Sequence, residues 1–424
     1  MRDLFEPISR DERQAQSVQK WLSSKGRGTL ECCTGYGKSR CALIIINKLL
    51  SRYPNMRIWV VVPTDLLKKQ WEAHVEKNAL QLNVEVLIIN TAAKNGGQCD
   101  FLIIDEIHTA GANLLIQVFE TVKYKLILGL TATFERLDER HKLIAKYCPI
   151  VDTVTLQEAQ LNGWVANYKE YLVLIDVEDI NLYQDYNKQF TEHFEFFNYD
   201  FNLAMSMLGP KGFMKKIEYR DELCKNNPDM KSEILKAITY HANGFIRAIQ
   251  NRKKFVYEHP EKIRLAQEII KHRPNSKIVT FSANTKVAEA IGVGYIYTGK
   301  EGKKKNRLTL EEFSTMPSGV LNTCKLAEAG MDIPGLSVGI MLGVNSSETK
   351  AQQTRGRIIR KEGDKTAEYF PLVINDTIES KWWQNSHKND SNIIKIDSEN
   401  LIKVLNGEPY ETYTKKLKNY SYRF

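Results

Sequence analysis

The sequence predicts an α/β protein with two parallel-sheet lobes and a helical insertion. Strand-like apolar runs alternate with amphipathic helical stretches over the first third of the chain, and a second block of this kind begins after His272. Such alternation is typical of parallel sheets that are covered by helices. Between the two blocks, at about 181–272, the apolar residues instead recur at helical spacing.

The first block supports a lobe at 1–155. Apolar runs at 28–33, 58–62, 84–90, 101–105 and 126–130 predict strands, because short apolar runs bounded by polar residues are typical of buried parallel strands. The amphipathic stretches at 40–50 and 66–75 predict helices that lie on the sheet.

The second block supports a lobe at 156–385 that contains the insertion, followed by a C-terminal extension at 386–424. Runs at 277–281, 319–322 and 338–343 predict strands, and 285–291 predicts a helix. Helical spacing within the insertion is seen at Ile234, Ile238, His241, Phe245 and Ile249. Its aromatic residues at 190–201 are predicted to form a core, and basic positions that include Arg252 are predicted to face duplex DNA.

Composition limits the function classes. The 424 residues are 42% hydrophobic, which is enough for two to three domain cores. A net charge of +9 suits an anionic partner such as nucleic acid without requiring one. The 7 cysteines include no CxxC pair, which argues against a zinc site and a disulfide framework. With a charged start and no long apolar run, the chain is predicted to be cytoplasmic.

A phosphate-binding loop is predicted at 31–39, where the sequence reads ECCTGYGKS. Backbone N–H groups at Thr34, Gly35 and Gly37 can wrap phosphates, Lys38 can neutralise the β and γ oxygens, and the Ser39 hydroxyl can bind Mg²⁺. The helix that follows points its N-terminus at the anion. A structural glycine turn is the alternative reading of this loop.

Two carboxylates end a predicted buried strand in the sequence FLIIDE at 101–106. Behind a phosphate loop, such a pair suggests that Asp105 binds Mg²⁺ and that Glu106 activates the attacking water. A solvated strand end is the alternative.

Arg357 and Arg360 lie three residues apart in QTRGRIIR at 353–360, so a helix would place them on one face. Positive charge on the γ-phosphoryl group contributes about 10³ to 10⁵ to the rate of hydrolysis in enzymes that supply it from an arginine. Without such a role, the pair is part of a basic surface helix.

In this order, the motifs resemble those of superfamily 2 helicases of the DExH type. The resemblance includes DEIH at 105–108, VPTDLLKKQW at 62–71, GLTAT at 129–133, IVTFS at 278–282 and LAEAGMDIP at 326–334. Within the superfamily, the chain is similar to the group of UvsW-like phage enzymes, XPB-like proteins and restriction-type translocases. The resemblance implies that both lobes are RecA-like.

For the nucleotide, the resemblance implies that Gln14 reads adenine, although Arg13 stands where an aromatic residue is often found. It also implies that Gln353 and Asp332 lie near the γ-phosphate and the ribose. ATP and Mg²⁺ are the implied cofactors.

For nucleic acid, the resemblance implies backbone contacts through three threonines, Thr64, Thr91 and Thr323. Hydroxyl contacts to phosphate suit binding that ignores sequence. The implied link between hydrolysis and nucleic-acid contact is made by His108, Thr131 and Thr133.

The sequence therefore predicts an ATP-dependent motor on nucleic acid, with DNA favoured over RNA, that separates or remodels strands; 3′ to 5′ polarity is implied by the resemblance. Two alternatives stay open: an RNA helicase and the motor subunit of a restriction or defence assembly. A nucleic-acid-binding scaffold without ATPase activity is disfavoured, because Lys38, Glu106, Arg357 and Arg360 are all present.

Overall fold

The computed structural model describes residues 8–108, 112–132, 141–165, 168–209, 211–225, 228–324, 333–344, 366–386 and 393–414. Within these ranges the chain forms a six-stranded and a seven-stranded sheet, and all strand pairs in both are parallel. The predicted α/β class with two parallel-sheet lobes is confirmed. Among the helices so described, none is both long enough and apolar enough to cross a membrane.

The six-stranded sheet has the order β3-β2-β5-β7-β1-β8. The strands of this part of the chain are β1 Arg27–Cys32, β2 Ile58–Val62, β3 Val84–Ile88, β4 Gly97–Gln98, β5 Phe101–Asp105, β6 Val122–Lys123, β7 Leu126–Thr131 and β8 Ile150–Val154. The helices are α1 Arg10–Ser23, α2 Lys38–Leu50, α3 Asp65–Lys77, α4 Ile89–Asn95, α5 Ala112–Thr121, α6 His141–Tyr147 and α7 Leu156–Leu161. Strands β4 and β6 form a separate short ladder.

Helices cover both faces of this sheet because its strands are apolar on both sides. Val60 and Ile103 belong to one buried cluster, whereas Val61 and Leu102 belong to a second cluster on the opposite face. Successive residues of a strand point to opposite faces, so a strand buried on both sides reads as a continuous apolar run. This explains why the runs at 58–62 and 101–105 predict strands correctly.

The seven-stranded sheet has the order β11-β12-β10-β13-β14-β9-β15. Its strands are β9 Tyr168–Ile175, β10 Lys277–Ser282, β11 Tyr295–Tyr297, β12 Gly319–Cys324, β13 Leu336–Met341, β14 Ala367–Ile374 and β15 Ile393–Asp397. The helices are α8 Ile180–Glu195, α9 Phe201–Ser206, α10 Gly212–Leu223, α11 Lys231–Glu258, α12 Pro260–Lys271, α13 Thr285–Ala290, α14 Gly302–Thr315, α15 Ile378–Ser386 and α16 Ser398–Asn406. Two short 3₁₀ turns occur at Pro228–Met230 and Gly299–Glu301.

Two segments lie differently from the divisions drawn on the sequence. Helix α7 follows residue 155, but Ala159 and Trp164 pack in the same cluster as Leu30 of β1, on the first lobe. Strand β15 lies within 386–424 and pairs with β9 as the edge strand of the second sheet. Short motifs mark neither placement, because both depend on contacts between distant parts of the chain.

Helices α8 to α11 have a core of their own, in which Phe190, Phe194 and Phe245 are buried. The core predicted for the aromatic run is therefore present, although Phe201 is exposed. Arg252 was expected to face DNA, and this expectation is wrong. Its side chain is 7% exposed and lies over the ring of Phe190, at 4.2 Å from the centroid, because the aromatic face attracts the guanidinium charge.

A fully buried ion pair joins α12 to α15 in the second lobe. Lys262 Nζ lies 2.6 and 2.7 Å from the two carboxylate oxygens of Glu379, and it also donates to the Leu342 carbonyl at 2.9 Å. Glu379 in turn accepts the backbone N–H groups of Ile374 and Val344. Burial lowers the pKa of Lys262 and raises that of Glu379, and each charge opposes the shift of the other. Either charge alone would be strongly unfavourable at this position.

We expect Lys262→Met to lower the free energy of unfolding by about 3–5 kcal/mol, because it leaves Glu379 buried without its partner. Equilibrium urea denaturation measures the change. A second substitution, Glu379→Leu, should recover most of the loss, since it removes the orphaned charge. The matched control is Arg264→Met, which breaks the exposed Arg264–Glu261 pair of the same helix and should cost no more than about 1 kcal/mol. An equal cost for both single substitutions would contradict the prediction.

Candidate functional site

The predicted phosphate loop connects β1 to α2. Gly37 immediately precedes α2 with φ 101°, in the left-handed region that glycine adopts without strain. A Cβ atom at Gly37 would lie 2.6 Å from Gln14 Nε2, so a larger residue here would displace the Gln14 amide. Gly35, with φ 84°, is left-handed as well. Thr34 and Gly35 lie in the turn, and Lys38 and Ser39 begin α2, so the helix N-terminus directs its first N–H groups into the loop.

Gln14 is held against the loop by a hydrogen bond. It is 0% exposed, and its Nε2 donates to the Tyr36 carbonyl at 2.7 Å. Its Oε1 is also buried and accepts no hydrogen bond from the residues that the structure describes. Lys38 Nζ donates to the Cys32 carbonyl at 3.2 Å. A buried acceptor on α1 and a partly buried cation on α2 therefore both belong to side chains that contact the loop backbone.

Arg13, which stands where an aromatic residue is often found, anchors α1 through two ion pairs. Its guanidinium contacts Asp152 at 2.7 Å and Glu158 at 2.7 Å, on β8 and α7 respectively. Burial disfavours the charge of Arg13, but the hydrogen bonds to Asp152 and Glu158 outweigh it and hold its pKa above the ordinary value. This network fixes the helix that carries Gln14 to the end of the sheet.

The predicted carboxylate pair lies at the end of β5. Asp105 is 6% exposed, and its Oδ1 accepts the Glu106 N–H at 2.9 Å while its Oδ2 accepts the Trp71 indole N–H at 2.7 Å. Burial and then the charge of Glu106 raise the pKa of Asp105 to about 6, against the Trp71 hydrogen bond and the charge of Lys38. Glu106 has φ 50°, a left-handed conformation that costs a residue with a side chain about 1–3 kcal/mol.

His108 connects this pair to the next strand. Its Nδ1 lies 2.6 Å from the Thr131 hydroxyl at the end of β7 and 3.5 Å from Glu106 Oε2. All three side chains are largely buried, so this contact chain is shielded from water.

The threonines expected at nucleic acid fall into two groups. Thr64 caps α3, where its hydroxyl accepts the Leu67 N–H at 3.3 Å, and Thr91 is exposed in the first turn of α4. They follow the adjacent strands β2 and β3, at the same edge of the sheet as the phosphate loop. Thr323 differs from expectation: it is 0% exposed, and its hydroxyl donates to the Thr280 carbonyl at 2.7 Å. The proton of its hydroxyl is therefore used by a carbonyl of the neighbouring strand β10.

Every strand of the first sheet runs in the same direction, so the carboxyl ends meet at one edge. The structure thus brings together ten of the predicted site residues near this edge: Gln14, Thr34, Gly35, Gly37, Lys38, Ser39, Asp105, Glu106, His108 and Thr131. Five others lie outside the described residues: Thr133, Asp332, Gln353, Arg357 and Arg360. The contact of Trp71 with Asp105 was not predicted, since no local pattern indicates a partner 34 residues away.

Two family models match the chain. Residues 8–136 match the model described as "Type III restriction enzyme, res subunit", and residues 261–362 match the "Helicase conserved C-terminal domain". The first match lies on the first lobe and includes the phosphate loop. The second match lies on the second lobe and includes the sequence QTRGRIIR at 353–360.

Relatives are found among both DNA and RNA enzymes. A protein named DNA 3′-5′ translocase XPB2, from Sulfurisphaera tokodaii, is 26% identical over 86% of this chain and 81% of its own length. A putative ATP-dependent RNA helicase, QP509L of African swine fever virus, is 32% identical, but over 30% of this chain and 28% of its own length. The fold is similar to the crystal structure of the Pyrococcus furiosus Hef helicase domain, with a TM-score of 0.54, 16% identity, and 90% of this chain and 100% of that chain covered.

Proposed function

This chain belongs to superfamily 2 of the helicases, which are ATP-dependent nucleic-acid motors, and on that premise we propose that it translocates along DNA and separates or remodels its strands. One observation carries the proposal. The phosphate loop, the Asp105–Glu106 pair and the hydroxyl-bearing Thr64 all follow carboxyl ends of the same parallel sheet. The proposed ATP site and the proposed contact with the nucleic-acid backbone therefore lie at one edge of the first sheet, where each can affect the other.

The residues of the loop fit ATP with a divalent cation. The buried Gln14 Oε1, which has no hydrogen-bond partner among the described residues, can accept a hydrogen bond from the amino group of adenine. The left-handed Gly35 and Gly37 shape a turn whose backbone N–H groups can bind phosphates. Lys38 is proposed to move from the Cys32 carbonyl to the β and γ oxygens. Ser39 and Asp105 are proposed to hold Mg²⁺, which when bound neutralises phosphate charge and favours the ionised form of Asp105.

Glu106 is proposed to accept the proton of the attacking water, since it is the acidic neighbour of the metal carboxylate. The contacts of His108 with Glu106 and Thr131 are proposed to report the state of the nucleotide to the strand β7. Arg357 and Arg360 are proposed to stabilise the charge that develops on the γ-phosphoryl group.

DNA is proposed as the track because the relative that matches over 86% of the chain is named a DNA translocase. Thr64 and Thr91 are the proposed backbone contacts in the first lobe. RNA is the competing track, favoured by the similarity to a viral RNA helicase, and backbone contacts alone do not distinguish the two.

The proposal is tested by steady-state ATPase of the full chain with single-stranded DNA, duplex, forked DNA, a four-way junction or RNA at fixed salt. We expect DNA to stimulate turnover and forked or four-way DNA to stimulate it most. Stimulation by RNA alone would instead identify an RNA helicase. A chain that no nucleic acid stimulates would contradict the proposed function.

A further inference from the structure

A tryptophan of the first lobe touches the proposed metal-binding carboxylate. We propose that Trp71 is a positioning residue, whose indole N–H fixes the orientation of Asp105 and connects it to the helix that begins at Thr64. The inference rests on the proposed function, because it assigns Trp71 the task of making ATP turnover respond to nucleic acid.

The Trp71–Asp105 hydrogen bond is short and is shielded from water. Trp71 is 1% exposed, and its Nε1 lies 2.7 Å from Asp105 Oδ2. The other oxygen, Oδ1, accepts the Glu106 N–H at 2.9 Å. An indole N–H can only donate, and a hydrogen bond to a carboxylate is stronger than one between neutral groups. These two hydrogen bonds therefore fix the orientation of both carboxylate oxygens of Asp105 before a cation binds.

Packing alone does not explain this contact. Trp21 and Trp164 pack in the same buried cluster as Trp71, and their indole groups donate to the main-chain carbonyls of Ile127 and Ile8. Those bonds join backbone segments of the fold. Only the indole of Trp71, among these three, donates to a side chain of the proposed catalytic machinery.

Helix α3 connects the Trp71–Asp105 hydrogen bond to the proposed nucleic-acid contact at Thr64. Thr64, the proposed backbone contact, caps its N-terminus, and Trp71 lies seven residues further along, about 10 Å down the helix. Strand β2 leads into α3 and is the direct neighbour of β5, which ends at Asp105. A shift of α3 when a phosphate binds at Thr64 therefore displaces the indole donor and turns the Asp105 carboxylate. Mg²⁺ binding and nucleic-acid binding become linked through one hydrogen bond.

The first test compares Trp71→Phe with the matched control Trp21→Phe in the full chain. Both substitutions remove an indole N–H from one buried cluster, but Trp21→Phe leaves Asp105 untouched. For Trp71→Phe we expect the Mg²⁺ concentration at half-maximal ATPase to rise about 10-fold, as expected for a lost hydrogen bond to a charged group, and the stimulation by DNA to fall. At saturating Mg²⁺, the kcat of DNA-stimulated hydrolysis should fall, whereas the KM for ATP should change much less. Trp21→Phe should leave both the Mg²⁺ dependence and the DNA stimulation at wild-type values.

Equal Mg²⁺ dependence and equal DNA stimulation in Trp71→Phe and wild type would overturn the inference while the proposed function stands. A wild-type chain without nucleic-acid stimulation is the separate failure of the proposed function. The inference can also be tested without a variant, from the indole resonances of ¹⁵N-labelled wild-type protein. The resonance most broadened by Mn²⁺ with ADP should also shift when DNA is added without nucleotide, and an unmoved resonance would overturn the link to nucleic acid.

Discussion

Replacing Arg357 or Arg360 by alanine is expected to lower the kcat of DNA-stimulated ATP hydrolysis by about 10³- to 10⁵-fold. Each arginine is proposed to meet the γ-phosphoryl group as its charge develops, so the interaction is stronger in the transition state than in bound ATP. The KM for ATP should therefore change little. Steady-state ATPase at saturating Mg²⁺ and DNA measures kcat, and equilibrium binding of a fluorescent ATP analogue measures ground-state affinity.

The matched control is Arg307→Ala in α14 of the same lobe. Arg307 is 70% exposed and pairs with Glu311 at 3.4 Å on the surface, where an ion pair contributes little. Its removal should leave kcat within about twofold of wild type, by the small value of exposed pairs. A loss of less than tenfold for both Arg357→Ala and Arg360→Ala would show that neither acts on the transferred phosphoryl group.

Local patterns were sufficient to predict that two parallel sheets are present, and they located five of the six strands of the first sheet and three of the seven strands of the second. A parallel strand that is buried on both faces must be apolar throughout, so the run ending in Asp105 identified β5 without any knowledge of its neighbours. The glycine turn of the proposed phosphate loop was predictable for a related reason. Gly35 and Gly37 have left-handed conformations that glycine adopts readily, so the presence of glycine at these positions indicates the turn.

Long-range polar contacts were not predictable from such patterns. Lys262 and Glu379 are 117 residues apart, and each looks like an ordinary helix-surface residue until the fold buries both. Arg252 was misjudged in the same way, because its position on α11 faces Phe190 rather than solvent. The burial of Thr323 was not foreseen, because the family motif gives the residue type and not its burial.

The local arrangement of Asp105 and Glu106 shows why a functional site departs from what stability alone favours. Two adjacent carboxylates repel each other, and the charge of Glu106 contributes to the raised pKa of Asp105. Glu106 also keeps a left-handed backbone with φ 50°. Both features oppose folding, and both occur at the carboxyl end of β5, at the same edge of the sheet as the phosphate loop. The acidic pair is therefore the place where removing a charge should separate activity from stability.

Glu106→Gln is expected to lower kcat by about 10²- to 10⁴-fold, because glutamine keeps the shape of the side chain but cannot take the proton of the attacking water. ATP affinity should be retained, since Lys38 and the glycine loop are unchanged. The same substitution should raise the thermal unfolding midpoint, because it removes the charge that repels Asp105 while preserving the backbone conformation. Glu72→Gln is the matched control: Glu72 is 51% exposed on α3, and its loss should change neither quantity. If the kcat of Glu106→Gln stays within tenfold of wild type, another group accepts the proton of the attacking water. If both kcat and the unfolding midpoint fall, Glu106 supports the structure of the site rather than the proton transfer.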